Sequence, residues 1–163
     1  MKICIIGTST KNIPFDYKDK ASTEMQEYEE SLACYVARLI ETSGADSIEL
    51  YGATNIELDV AETVIGLRDH IGTTTQLIIV KPTATEYAAT IEDCARYSRI
   101  NKKANHISYV TQSDYRVPEL MIDCADVVVV IYNGECDGTP QRAIEYAKKK
   151  GKKIDVVLLS DLT

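Results

Sequence analysis

The stretch DCADVVVVIYNGECDGTP, residues 123–140, decides the fold. Val127 to Tyr132 are apolar at every position, so a strand there is buried on both faces and needs a covering layer on each. A turn carrying Gly134 and Gly138 follows, and Thr139-Pro140 then supplies an N-cap and first-turn pair for a helix that Gly151 ends. A doubly buried strand that runs through a glycine turn into a capped helix is the repeating unit of an α/β protein with a parallel sheet.

The same alternation extends outward in both directions. Short apolar, β-branched runs at 2–7, 47–51, 76–81, 106–111, 126–132 and 154–159 read as strands. Between the first two, Met25, Tyr28, Leu32, Tyr35, Val36, Leu39 and Ile40 recur at steps of three and four, which gives one apolar helix face. Thr23 and Gln26 suit its capping box and Gly44 its stop. A second helix is expected over about 54–70, closed by Gly72, and a third over about 84–100. Pro118 marks the first residue of a fourth. The expected architecture is an α/β three-layer sandwich: a largely parallel sheet of five to six strands with helices on both faces, in one domain over 1–163. The polar run 11–20, with Pro14 and Phe15, is longer than a structural connection needs and reads as a candidate lid.

Composition narrows the function classes. The chain has 163 residues, 45% of them hydrophobic and 26% charged, which suits an ordinary globular domain and excludes wholesale disorder. Its formal charge of −7 repels a phosphate backbone and argues against nucleic acid as the partner. Val127–Tyr132 is far short of the roughly 20 apolar residues that a membrane helix requires, so no membrane partner is expected. Only Lys2 lies between Met1 and an apolar run, without a small-residue cleavage site, which argues against a signal peptide. Cys4, Cys34, Cys94, Cys124 and Cys136 form no CxxC pair and mostly sit in apolar runs that read as core, as in a reducing cytoplasm. His70 and His106 have no neighbour at metal-ligand spacing, so no metal is expected.

In an open parallel sheet, ligands bind outside the carboxyl ends of the strands, where helix N-termini point. The residues following each strand are therefore the candidates. After the first strand come Gly7, Thr8, Ser9 and Thr10, a small hydroxyl-rich turn that would let a ligand approach the backbone. Gly52 and Ala53 follow the second, and Thr54 with Glu57 fits a capping box as well as a ligand contact. The fourth ends in 111–116, where Arg116 is the one cation expected at that part of the edge and a natural partner for phosphate. After the fifth, Asn133, Gly134, Gly138 and Thr139 read as a phosphate cradle, with Glu135 and Asp137 working against a bare anion. Cys136 there reads as incidental rather than as a nucleophile. Arg96, Arg99, Lys102 and Lys103 read as a solvated helix end, and so do 148–153.

Taken together, residues 1–7 with their polar turn, Leu50-Tyr51-Gly52 followed by Ile56-Glu57, and 123–130 with Asn133-Gly134 and Gly138-Thr139 resemble the SLOG superfamily of Rossmann-like nucleotide-binding proteins, within it the YpsA-like branch. The similarity runs in order through nearly the whole chain. It implies a Rossmann-like fold, a ligand related to a nucleotide or ADP-ribose over the loops after the first, second and fifth strands, and a homodimer or higher homo-oligomer. Two departures bear on chemistry. Similar phosphoribohydrolases carry PGGxGTxxE with a catalytic glutamate, and Arg142 stands at that position here. Similar nucleoside deoxyribosyltransferases carry a nucleophilic glutamate where this chain has Ala143. The expectation is thus a nucleotide-derivative binder, acting as sensor, regulator or sequestering protein without a cofactor. The alternatives are an N-glycosidic hydrolase or transferase using Glu57, Asp59 or Glu145, and an interaction scaffold that has lost its ligand site. Glu57 and Asp59, near a helix start, are expected to have lowered pKa values.

Overall fold

A computed structural model describes residues 1–83, 91–111, 116–135 and 138–163. The strands are Lys2–Gly7 (β1), Ser47–Leu50 (β2), Gln76–Pro82 (β3), His106–Val110 (β4), Val127–Tyr132 (β5) and Lys153–Leu158 (β6). The helices are Thr23–Ser43 (α1), Asn55–Ile71 (α2), Cys94–Lys103 (α3), Val117–Cys124 (α4) and Thr139–Lys149 (α5). All neighbouring strands pair in parallel, in the order β4-β3-β2-β1-β5-β6. The expected α/β sandwich is the fold observed, its largely parallel sheet of five to six strands being parallel throughout with six strands among the described residues.

Two apolar layers follow from strand alternation. Ile3 and Ile5 of β1 pack with Met25, Tyr28 and Leu32 of α1, with α2, and with Tyr97 of α3. Cys4 and Ile6 point the other way, to Met121 and Ile122 of α4 and Ala143 and Ile144 of α5. Val128 and Val130 of β5 share that second layer while Val129 and Ile131 share the first, which is why the run in 127–131 has no polar position. From β1 the chain builds outward on one side through β2, β3 and β4, and then returns to place β5 and β6 on the other. The reversal puts a topological switch point between the carboxyl ends of β1 and β5, where Gly7 pairs with Ile131.

Several local expectations are corrected. Ser22 rather than Thr23 caps α1: Ser22 is extended and its Oγ accepts the Met25 amide at 3.2 Å, so Thr23 is already helical. The third helix begins at Cys94, because Asp93 caps it through the Arg96 amide and holds 91–93 outside it; residues 84–90 lie outside the described residues. In α4, Pro118 is the second residue, not the first. Gly138, not Thr139, is the N-cap of α5, with φ at 93° and no side-chain cap. Cys4 alone of the described cysteines is core, since Cys34, Cys94 and Cys124 face outward from their helices; Cys136 lies outside the described residues. No helix among the described residues is long and apolar enough to cross a membrane.

Candidate functional site

The predicted edge is assembled by two carboxylates that reach between its loops. Thr54 caps α2 by accepting the Glu57 amide at 3.2 Å, as a capping box requires. The Glu57 side chain does more than close that box. It accepts the amides of Gly52 and Ala53, both at 2.9 Å, and that of Gly7 at 3.1 Å, so it staples the end of β1 to the end of β2. Glu57 is buried, and burial pushes its pKa up to about 7 despite the amides of Gly7, Thr54, Ala53 and Gly52 around it. The lowered pKa expected from the helix dipole is overturned by desolvation.

The glycines of these two loops serve the same internal junction. A Cβ on Gly7 would lie 3.0 Å from Cβ of Ile56 and 3.1 Å from Oγ1 of Thr54, so α2 packs directly against that side of the turn. Gly52 has φ at 80° and a Cβ there would meet the Tyr97 ring at 3.1 Å. Thr8 is buried, its amide bonded to the Ile131 carbonyl at 2.9 Å.

The second carboxylate is Glu92. It accepts the Ser9 hydroxyl, the Thr10 amide at 2.9 Å, the Thr10 hydroxyl at 3.3 Å and the Asn55 amide at 2.7 Å, the last being the first residue of α2. Ser9 and Thr10 therefore lie at the start of α2, with a side chain of the same molecule between them.

Beside this contact a cleft of about 940 Å³ opens between the 10–20 segment and the outer faces of α1, α2 and α3. Asp59 is at its centre. Tyr17 Oη donates to one carboxylate oxygen at 2.8 Å, Tyr28 Oη to the other at 2.7 Å, and the Arg96 guanidinium also bonds it. Arg96 further binds Glu62 through Nε at 2.8 Å and Tyr17 Oη through Nη1 at 2.8 Å. Burial holds the Asp59 carboxyl above its usual range, against the opposing pull of Arg96 and the two phenols, which corrects the second lowered pKa. Burial also raises both phenols, with the Asp59 charge adding to it. For Arg96 burial works against the charge, but Glu62 and Asp59 outweigh it and keep the guanidinium protonated. Phe15 packs against Tyr28 at 5.2 Å between ring centroids, the rings tilted by 41°, so the candidate lid is seated on α1 by aromatic packing as well.

The remaining candidates lie apart from the cleft. Arg116 Nε is 3.6 Å from Glu119 on the same helix, and 112–115 lie outside the described residues. Asn133 Oδ1 accepts the Glu135 amide at 3.1 Å, and Gly134 has φ at 88°. Thr139 Oγ1 accepts a bond from Arg142 at 3.2 Å, a cation at the positive end of α5; Asp137 lies outside the described residues. Glu145 is exposed and accepts from Gln141 at 3.0 Å. Among the described residues no group of three or more His, Cys, Asp or Glu side chains could hold a metal.

Sequence reasoning missed Tyr17, Tyr28, Glu62, Glu92 and Arg96. Arg96 read as part of a basic helix end because the residues after it are basic; its spacing from Asp93, three apart, is the signal that places it in the first turn of α3 instead. Tyr28 fell in the apolar stripe of α1, and only its hydroxyl is functional in the network.

No family model matches the chain. It is 26% identical over 117 residues to UPF0398 proteins of Bacillus anthracis (strain A0248), Bacillus thuringiensis (strain Al Hakam) and Bacillus cereus (strain AH187), which covers 67% of this chain. The match spans about 63% of the length of those curated relatives. The fold also resembles the X-ray structure of TM1055, a structural-genomics target, with a TM-score of 0.55 and 17% identity over 94% of this chain and 71% of that one. In sequence the chain is thus similar to UPF0398 proteins, and in fold to a Rossmann-like α/β protein.

Proposed function

We propose that the protein binds a nucleotide- or ADP-ribose-derived small molecule across the carboxyl edge of the sheet, at the switch point between β1 and β5, and acts as a sensor, regulator or sequestering protein. The observation that carries this reading is the start of α5. It opens at Gly138 with no side-chain cap, beside Thr139 and Arg142, so its first amides and a guanidinium favour an anion there. Among the described residues a Cβ on Gly138 would meet nothing nearer than Pro140 Cδ at 3.9 Å. On this reading Arg116 reaches the same phosphate by leaving Glu119, an exposed pair of little strength. The rest of the ligand lies toward Ser9 and Thr10.

Glycosidic chemistry finds no support in the acids proposed for it. Glu57 is enclosed by backbone amides, Asp59 has both oxygens engaged by Tyr17, Tyr28 and Arg96, and Glu145 is on the outer surface of α5. The test is thermal-shift screening against nucleotides, dinucleotides and ADP-ribose, with mass spectrometry of small molecules released from purified, denatured protein. A ligand at 100 times its Kd should add about 2.7 kcal/mol of stability. A flat response across the set, with nothing released, rejects the reading.

A further inference from the structure

We infer that Glu92 is an internal anion that occupies a phosphate position of the ligand site, so that the free protein is self-capped and a phosphate-bearing ligand binds by displacing this side chain. The inference rests on the nucleotide reading above and assigns a regulation to that same site.

Four donors from two loops converge on the Glu92 carboxylate: the Ser9 and Thr10 hydroxyls and the Thr10 and Asn55 amides. This is the set of partners that a phosphate takes at a helix start, two hydroxyls and two backbone N–H groups within reach of the positive end of α2. Thr10, Asn55 and Glu92 also line the cleft, whose roughly 940 Å³ is the size of a small-molecule site. The position therefore opens onto room for part of a ligand.

Two features let the carboxylate leave without unravelling its surroundings. The Glu92 amide is bonded to the Ala53 carbonyl at 2.8 Å, which anchors the backbone independently of the side chain. The N-cap of α3 is Asp93, whose Oδ1 accepts the Arg96 amide at 3.0 Å, so α3 does not depend on Glu92 for its start. Rotation of one side chain frees the donors.

Charge makes the exchange competitive rather than additive. Asp16, Glu29, Asp59, Glu62, Glu92 and Asp93 line the cleft against Lys11, Lys18, Lys20 and Arg96, six carboxylates to four cations. A phosphate placed beside a resident Glu92 would meet like charge at short range. Donors left without an acceptor would be unfavourable in turn, so either Glu92 or the ligand anion fills the position.

The test compares wild type with Glu92→Ala and Glu92→Gln by calorimetry, using ADP-ribose as the phosphate-bearing probe, adenosine as the uncharged control and inorganic phosphate in a thermal-shift arm. Both variants should bind ADP-ribose about tenfold more tightly than wild type, with adenosine affinity unchanged and phosphate stabilising the variants alone. Glu92→Gln keeps the side-chain volume and reads the effect if the alanine variant does not fold. Equal or weaker ADP-ribose binding by both variants, when wild type binds it, overturns the inference and leaves the nucleotide reading standing. Phosphate stabilisation of the variants without affinity for any nucleotide overturns the nucleotide reading and keeps the assignment of Glu92. No response in any arm overturns both.

Discussion

Glu57, in the first turn of α2, accepts the amide of Gly7 at 3.1 Å across 50 positions of sequence and so fixes where β1 ends relative to β2. Its pKa is raised from 4.5 to about 7 by burial, so the native state holds the proton more tightly than the unfolded chain. The stability this contributes is fully present below pH 4.5 and is lost as pH rises through 7. Urea unfolding from pH 4.5 to 7 should show a declining component with a slope of at most about 1.4 kcal/mol per pH unit. Glu57→Gln should flatten that component and lower stability by about 1–3 kcal/mol, because an amide nitrogen faces backbone donors. A pH dependence identical to wild type would remove Glu57 as its source.

The Asp59 cluster holds the 10–20 segment to three helices. Asp59→Ala leaves Arg96 with Glu62 as its one carboxylate among the described residues and takes the acceptor from the Tyr17 and Tyr28 hydroxyls, and should destabilise the fold by about 1–3 kcal/mol. Tyr17→Phe removes only its hydroxyl bonds and should lower stability by about 1 kcal/mol. Both should speed limited proteolysis within 11–20, and Tyr17→Phe should add little in an Asp59→Ala background. Full additivity of the two changes would mean that Tyr17 and Asp59 are not coupled.

Glycine substitutions should separate packing from ligand approach. Gly7→Ala drives a methyl group against Ile56 and should destabilise by about 1–3 kcal/mol whether or not ligand is present. Gly138→Val puts a Cβ only in ordinary contact with Pro140 among the described residues, and its main structural effect is the strain of φ at 93°, about 1 kcal/mol or more. Its larger effect should be on affinity, where Arg116→Ala should also remove about 1.5–3 kcal/mol from a phosphorylated ligand. Unchanged affinity in both folded variants moves the site away from the α5 turn.

Glycosidic turnover should be absent. Incubation with nucleoside monophosphates, deoxynucleosides and NAD, followed by chromatography for free base, should show no release. Turnover near 1 s⁻¹, roughly the low end for ordinary enzymes, that Glu57→Gln or Glu145→Gln abolishes would reverse this.

Local rules acting on the sequence determined the element order, the parallel sheet and the glycine stops of α1 and α2. The unbroken apolar run of 127–131 requires two covering layers whatever its neighbours are, and Gly44 and Gly72 stop their helices through left-handed backbone at φ of 61° and 78°. Ser22 against Thr23, or Gly138 against Thr139, is a shift of one residue that propensity does not resolve. The site belongs to the tertiary structure. Glu92 meets Ser9 from 83 positions away, and Arg96 meets Tyr17 from 79. Neither pair leaves a periodic trace, because what joins them is the side-by-side placement of β1, β2 and β3. The same packing reverses the pKa shifts of Glu57 and Asp59. A helix start favours their charged forms over the first turn only, whereas burial, of Glu57 at the junction of β1 and β2 and of Asp59 beneath Tyr17 and Tyr28, removes the water that charge requires.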